Sequence, residues 1–393
     1  MIHKKKIFIL IILCMVYVLF ESSCFVAEQL LARYKQIKYC PLTDKLVSDI
    51  LNKKDVIKDL ISERIVPRKV YDSQLGWNVL ANLETPWEII KNGIRDEKVY
   101  SYHKSKGVIR MLAFGDSFTY GEECSNKSIW EKFLNDSGNI EVLNFGVPGY
   151  GLDQAYLRYL KEGKKYETDY VLIGFIAEDA NRQVNTFRYF YTPYEWYWSK
   201  PRYYLENGKL KLLENYFQRK EDIMKLVENP RKTIAELGER DYFYQTRFYS
   251  RGFFDFLPSV RLFKVLFSIY REQMTGMLRN EVYRSDSEAF QITVKTFDAF
   301  VDDVKKAGAV PIIMMFPERE DFYRRQSGRT KRYEVFLKHF QEKGYYYFDA
   351  MDAFDKQCPK CDVSKLINNH YSPLGNMIVA QGFIEYYFKN VHR

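Results

Sequence analysis

Ser117 stands in Gly115-Asp116-Ser117-Phe118-Thr119-Tyr120-Gly121, after the apolar run Val108 to Phe114 and ahead of a helix-like stretch, Ser128 to Leu134. A buried strand that ends in Gly-Asp-Ser and turns through a second glycine presents a hydroxyl at the carboxyl edge of a sheet, where open α/β sheets bind ligands. Such a serine is either a nucleophile or a turn residue, because all three residue types favour turns. Two further stretches bear on the choice. Asn144 to Gly151 (Asn-Phe-Gly-Val-Pro-Gly-Tyr-Gly) ends a second apolar run with a glycine-rich loop, which lets backbone amides approach a ligand closely. His370, one of only five histidines, lies in Asn368-Asn369-His370-Tyr371-Ser372-Pro373, just before the last helix-like segment. Taken alone it reads first as an incidental histidine in a helix-capping turn.

The elements that must hold these residues follow from periodicity. Short apolar runs at Ile140 to Phe145, Tyr170 to Phe175, Val310 to Phe316 and Tyr345 to Phe348 alternate with helix-period segments at Asp153 to Leu160, Phe290 to Lys306, Tyr333 to Lys343 and Leu374 to Lys389. Strands alternating with helices imply an α/β fold, a doubly wound parallel sheet in three layers. The rhythm stops between Asn185 and Asp286. There an aromatic stretch, Tyr191 to Trp198, leads to a hairpin signal, Asn207-Gly208 between alternating residues. The organisation expected is 1–33 anchor, 34–106 lead-in, 107–185 first part of the α/β domain, 186–286 aromatic-rich insertion and 287–393 second part. The insertion is either a recognition element or an aromatic cap over apolar surface.

Composition narrows the class. With 393 residues, 17% aromatic and 28% charged, the chain is a folded protein of ample core. The net charge of +9 is spread without long blocks, which suits anionic lipid or polymer and gives no nucleic-acid footprint. Lys4-Lys5-Lys6 precedes fourteen uninterrupted apolar residues, Ile7 to Phe20, and apolar character resumes from Cys24 to Ala27. This is a membrane-targeting segment: an uncleaved single-pass anchor with the lysines in the cytoplasm and the rest outside, or a signal cleaved near Ser22-Ser23-Cys24 to give a secreted or periplasmic protein. Of six cysteines, Cys358 and Cys361 form a lone C-x-x-C. It fits a local disulfide, or bridges to Cys40 and Cys124, better than a zinc site, which needs a second ligand pair.

Together "GDSFTYG", "NFGVPGYG" and "HYSPLG" resemble the SGNH or GDSL family of esterases and acyltransferases, whose blocks occur in this order. The resemblance implies an SGNH-hydrolase-like, flavodoxin-like fold from about Val108 to the end. It further implies Ser117 as nucleophile, His370 as general base, the amides of Ser117 and Gly149 as oxyanion donors, and no cofactor or metal. The layout with an amino-terminal anchor is similar to membrane-anchored members that act on acyl groups of bacterial surface polysaccharide. The implied partners are then a polysaccharide or other acylated carbohydrate, membrane lipid and, for a transferase, a membrane acyl-transfer partner. Two positions depart from the family pattern. Glu178 stands where an asparagine would donate to the oxyanion, a loss of about 2.7 to 4 kcal/mol in a comparable site; Asn181 is a nearby substitute. Asn368 and Ile367 stand where an acid would orient the histidine. Burial would raise the Glu178 pKa and let it donate as the neutral acid; the alternative is that Glu178 points away into a salt bridge with a basic residue and that Asn368 is only a capping residue. The expectation is an esterase or O-acyltransferase using Ser117, His370 and Asn368; the alternative is a polysaccharide-binding or assembly protein of the same fold with weakened chemistry.

Overall fold

The computed structural model describes residues 2–35, 37–62, 68–192, 197–247 and 251–391. Internal packing divides the chain into two units, 1–56 with 225–276, and 57–224 with 277–393.

The second unit is built on five parallel strands: β1 (Ile109–Gly115), β2 (Ile140–Gly146), β3 (Tyr170–Phe175), β4 (Val310–Met315) and β5 (Tyr347–Asp349), in the order β5-β4-β3-β1-β2. The reversal of direction after β1 puts a crevice beyond the carboxyl ends of β1 and β3, where doubly wound sheets place their ligands. Register follows the pleat. Met111 and Ala113 face one way and pack, with Ile312 and Met314, against the helices Trp130–Asn135, Ala350–Gln357 and Pro373–Asn390. Phe114, Phe145 and Phe175 face the other way. There Phe114 stacks on Phe145 at 4.8 Å, and Tyr159, Phe297 and Phe336 meet these rings edge-on from the helices Leu152–Lys161, Glu288–Lys306 and Glu334–Lys343. The strands are apolar on both faces because both are covered, which is why they read as continuous apolar runs.

Within this unit the hairpin forms as the Asn-Gly signal requires. Strands Arg202–Glu206 and Lys209–Leu213 pair antiparallel around Asn207 and Gly208, whose φ angles are 51° and 72°. Residues 193–196 of the aromatic stretch lie outside the described residues. Lead-in residues after Ile57 belong to this unit: Trp77 donates to the Pro148 carbonyl, and Tyr150 donates back to the Trp77 carbonyl at 2.6 Å. Lys200 and Asp153 form a fully buried ion pair.

The first unit contains the helix Ile2–Lys35, whose most apolar window has a mean hydropathy of 2.4 and is 6% buried. The helix Pro258–Thr275 packs on it, fixed by Glu21 accepting from Ser259 and by Glu28 paired with Arg261. The lead-in begins with two helices, Leu42–Asn52 and Lys54–Ile61.

Cys358 and Cys361 are joined as a disulfide. Cys40 and Cys124 are free thiols, so the longer bridges are not formed.

Candidate active site

Every element of the site leaves the carboxyl edge of the sheet. After β1, Asp116 caps a single helical turn, Ser117–Tyr120, by accepting from the Phe118 amide at 2.9 Å. Ser117 is the first residue of that turn, so its own N–H has no partner within the helix. The turn lies hard against β2. A Cβ on Gly146 would come within 2.3 Å of the Tyr120 nitrogen, so only glycine fits there. Asn144 fixes the other end of the turn by donating to the carbonyls of Thr119 (2.9 Å) and Tyr120 (3.3 Å). Beyond β2 the loop reaches Gly149, which lines the cleft with φ +83°, a left-handed conformation that glycine adopts at no Cβ cost. A methyl group built there would lie 3.6 Å from Lys69 Nζ, so a cation borders this loop.

His370 arrives from the loop before the helix Pro373–Asn390, which Ser372 caps through the Gly375 amide. Its Nε2 lies 2.9 Å from Ser117 Oγ. Both side chains are largely withdrawn from solvent and line a cleft of about 640 Å³ that also contains Gly149, Glu178, Arg182 and Glu318. Among the described residues, the apolar side chains in its wall are Phe118 and Ile176.

Two expectations for this cleft are corrected. Glu178 is not a neutral donor. Burial would raise its carboxyl, but the guanidinium groups of Arg182 and Arg188 outweigh that and hold it below the usual range. Its side chain pairs with Arg182 at 3.2 Å. Asn181 does not replace the missing amide either, because its Nδ2 donates to the Tyr191 hydroxyl and its Oδ1 accepts from Tyr283. Asn368 does not meet the imidazole through its side chain, whose Oδ1 accepts from Arg319 at 3.4 Å while its backbone N–H donates to the His370 carbonyl.

Several groups that the sequence reading passed over hold the site together. Arg182 is buried beneath the nucleophile turn; it donates to the Tyr150 carbonyl (2.7 Å) and to Asp179 (2.8 Å), and lies 3.4 Å from Asp116. Burial pushes the carboxyls of Asp116 and Asp179 upward against the pull of that guanidinium. The i,i+3 and i,i+4 spacing of Asp179 and Glu178 from Arg182 was a visible signal for this cluster. Arg95 reaches in from the lead-in and donates to the carbonyls of Tyr120, Gly121 and Cys124, pinning the loop after the nucleophile turn. That loop carries Glu122 and Glu123. Glu122 pairs with Arg68 at 3.3 Å, and Glu123 Oε1 lies 3.4 Å from His370 Nδ1. Nδ1 makes no hydrogen bond of ordinary geometry among the described residues, so no backbone carbonyl orients the ring.

A serine hydroxyl against an imidazole, next to a glycine-rich loop in a polar cleft, can perform acyl transfer. Residues 111–248 match the family model for GDSL-like Lipase/Acylhydrolase. No curated protein matches the chain. Similar solved structures include a lipolytic protein of the G-D-S-L family from Desulfitobacterium hafniense, at 13% identity over 70% of this chain and 98% of that one, with a TM-score of 0.35. The acetylxylan esterase Axe2 from Geobacillus stearothermophilus is 13% identical over 71% of this chain and 93% of its own, with a TM-score of 0.36. The psychrotrophic esterase EstA from Pseudoalteromonas sp. is 12% identical over 72% and 99%, also with a TM-score of 0.36. The matched stretch contains the nucleophile turn, the glycine loop and the first part of the insertion, and over it the chain is similar to GDSL-like lipases and acylhydrolases.

Proposed function

We propose that this protein is a membrane-tethered, extracytoplasmic serine esterase or O-acyltransferase that acts on short acyl groups carried by a carbohydrate. The observation that carries the reading is the 2.9 Å contact between Ser117 Oγ and His370 Nε2. In the reaction Oγ attacks the ester carbonyl as its proton passes to Nε2. The negative oxygen that forms is met by the amides of Ser117 and Gly149, with the Lys69 ammonium bordering the same loop. When the tetrahedral species collapses, the C–O bond of the ester breaks and the alcohol leaves with the proton from Nε2. Water then attacks the acyl-serine, again with Nε2 as base, and releases the acid and free Ser117. A sugar hydroxyl in place of water completes a transfer.

Substrate class follows from the wall of the cleft. Two apolar side chains offer little to a long acyl chain, whose burial contributes about 0.8 kcal/mol per methylene. Charged and amide groups suit a hydroxyl-rich alcohol and a short acyl group. Tethering is supported by the exposed apolar helix after Lys4 to Lys6, and by Phe263, Phe267 and Tyr270, which are exposed on the helix that packs against it. A second reading, a carbohydrate-binding protein with little turnover, is favoured by one observation: Glu178, at the position of the third oxyanion donor, is tied to Arg182.

The test is hydrolysis of acetyl, octanoyl and palmitoyl esters, and of an acetylated oligosaccharide, by the full chain in detergent. The expected result is activity on acetyl substrates that falls with chain length and is absent in Ser117→Ala. Preference for palmitate would contradict the cleft argument. Binding of the oligosaccharide with no hydrolysis of any ester would select the second reading.

A further inference from the structure

The family pattern supplies the acid that orients the histidine from the histidine's own loop, and here that place holds Ile367 and Asn368. We propose that Glu123, from the loop after the nucleophile turn, is the positioning acid for His370. This rests on the reading of Ser117 and His370 as nucleophile and base.

The geometry singles out Glu123 over its neighbours. Its Oε1 lies 3.4 Å from Nδ1, the nitrogen that faces away from Ser117. Glu122 lies instead 3.7 Å from Nε2, which Ser117 already occupies, and Arg68 pairs with it. Asp116, the other carboxylate close enough to act on the imidazole charge, is committed to the Phe118 amide and to Arg182. The carboxylate of Glu123 is held in place, because Asn369 donates to the same Oε1 at 3.1 Å.

The backbone is arranged for this contact. Glu123 has φ 68°, a left-handed conformation that is unfavourable for a residue with a Cβ and persists only where the surroundings enforce it. They do so on both sides of it. Arg95 clamps the carbonyls of Gly121 and Cys124, and the Cys124 thiol donates to the Tyr371 carbonyl at 3.2 Å, stapling this loop to the residue after His370. Burial works to raise the Glu123 carboxyl, yet the Asn369 amide and His370 prevail and hold it below its usual range. An ionised carboxylate there keeps the proton of the neutral ring on Nδ1, leaves Nε2 free to accept from Ser117, and stabilises the imidazolium that results.

The experiment uses the full chain with Glu123→Gln and Glu123→Asp. Glutamine keeps the size and can donate to Nδ1, which favours the wrong tautomer. Glu123→Gln is expected to lower kcat for an acetyl ester roughly 10²- to 10⁴-fold with KM nearly unchanged, and to move the acid limb of kcat/KM down by about one pH unit. Glu123→Asp should recover part of kcat. The tautomer of His370, read by ¹H–¹⁵N NMR of histidine-labelled protein, does not depend on turnover: Nδ1–H is expected in wild type and Nε2–H in Glu123→Gln. Wild-type protein without esterase activity but with this tautomer change would sink the esterase reading and leave Glu123 in place. An active wild type whose Glu123→Gln variant keeps kcat within threefold, with an unmoved acid limb, would overturn the assignment of Glu123, as would an Nε2–H tautomer in wild type.

Discussion

Replacing Arg182 by methionine removes one guanidinium from beneath the nucleophile and leaves three carboxylates facing one another. The side chain is 7% exposed, and those of Asp116 and Asp179 are 0% and 1% exposed. Water therefore cannot take over its hydrogen bonds to Asp179 and to the Tyr150 carbonyl. Removing one partner of a buried ion pair costs about 3 to 5 kcal/mol, which in a unit of this size lowers Tm by roughly 5 to 8 °C. The sign of the pH effect also follows. Burial already places the folded-state pKa values of Asp116 and Asp179 above their unfolded values, so each favours the folded state fully at low pH, and that contribution is lost as pH rises through the folded value. Arg182 opposes this rise. Without it both values climb further, and the deficit of Arg182→Met grows with pH. Thermal melts followed by circular dichroism at about pH 5 and pH 8 should show a larger loss at pH 8, and Asp179→Asn in the same background should recover part of it. A loss below about 1 kcal/mol at both values, or a larger loss at pH 5, would refute the reasoning.

Two further predictions concern buried charge. Lys200→Met strands the fully buried Asp153 and should cost about 3 to 5 kcal/mol, while the double variant Lys200→Met with Asp153→Leu should recover most of it in a denaturant titration; equal losses in both proteins would contradict this. Burial, opposed by Arg332 and assisted by Glu178 and Asp321, pushes the Glu318 carboxyl up to about 7. Its contribution to stability is thus complete below the ordinary glutamate range and lost as pH rises to about 7, by up to about 3 kcal/mol. Glu318→Gln should show a smaller drop in Tm between pH 5 and pH 8 than wild type, and an equal drop would count against it.

The sheet was legible because its strands are largely apolar on both faces and helices such as Leu152–Lys161 and Glu288–Lys306 are amphipathic, so that runs and periods alternate along the chain. Asn207-Gly208 announced its hairpin through backbone conformation alone. The places of Ser117 and His370 in the fold were legible because one lies two residues after a strand end and the other two residues before a helix cap. Glu178 was misread because its position in a motif was visible while its partner, Arg182, had to be inferred from helical spacing. Glu123 was out of reach in a different way. Its approach to His370 depends on a left-handed residue, on an arginine at position 95 and on a thiol-to-carbonyl contact across the site, none of which leaves a local pattern in the chain.

The central claim is that Ser117 is a nucleophile activated by His370. Its most direct measurement is the mass of the peptide containing Ser117 after the full chain has met a small fluorophosphonate. The account predicts one phosphonyl adduct on Ser117 in wild type, none in Ser117→Ala, and formation slowed at least about 10³-fold in His370→Ala. Folded wild-type protein that gains no adduct at any pH between about 6 and 9 would contradict it.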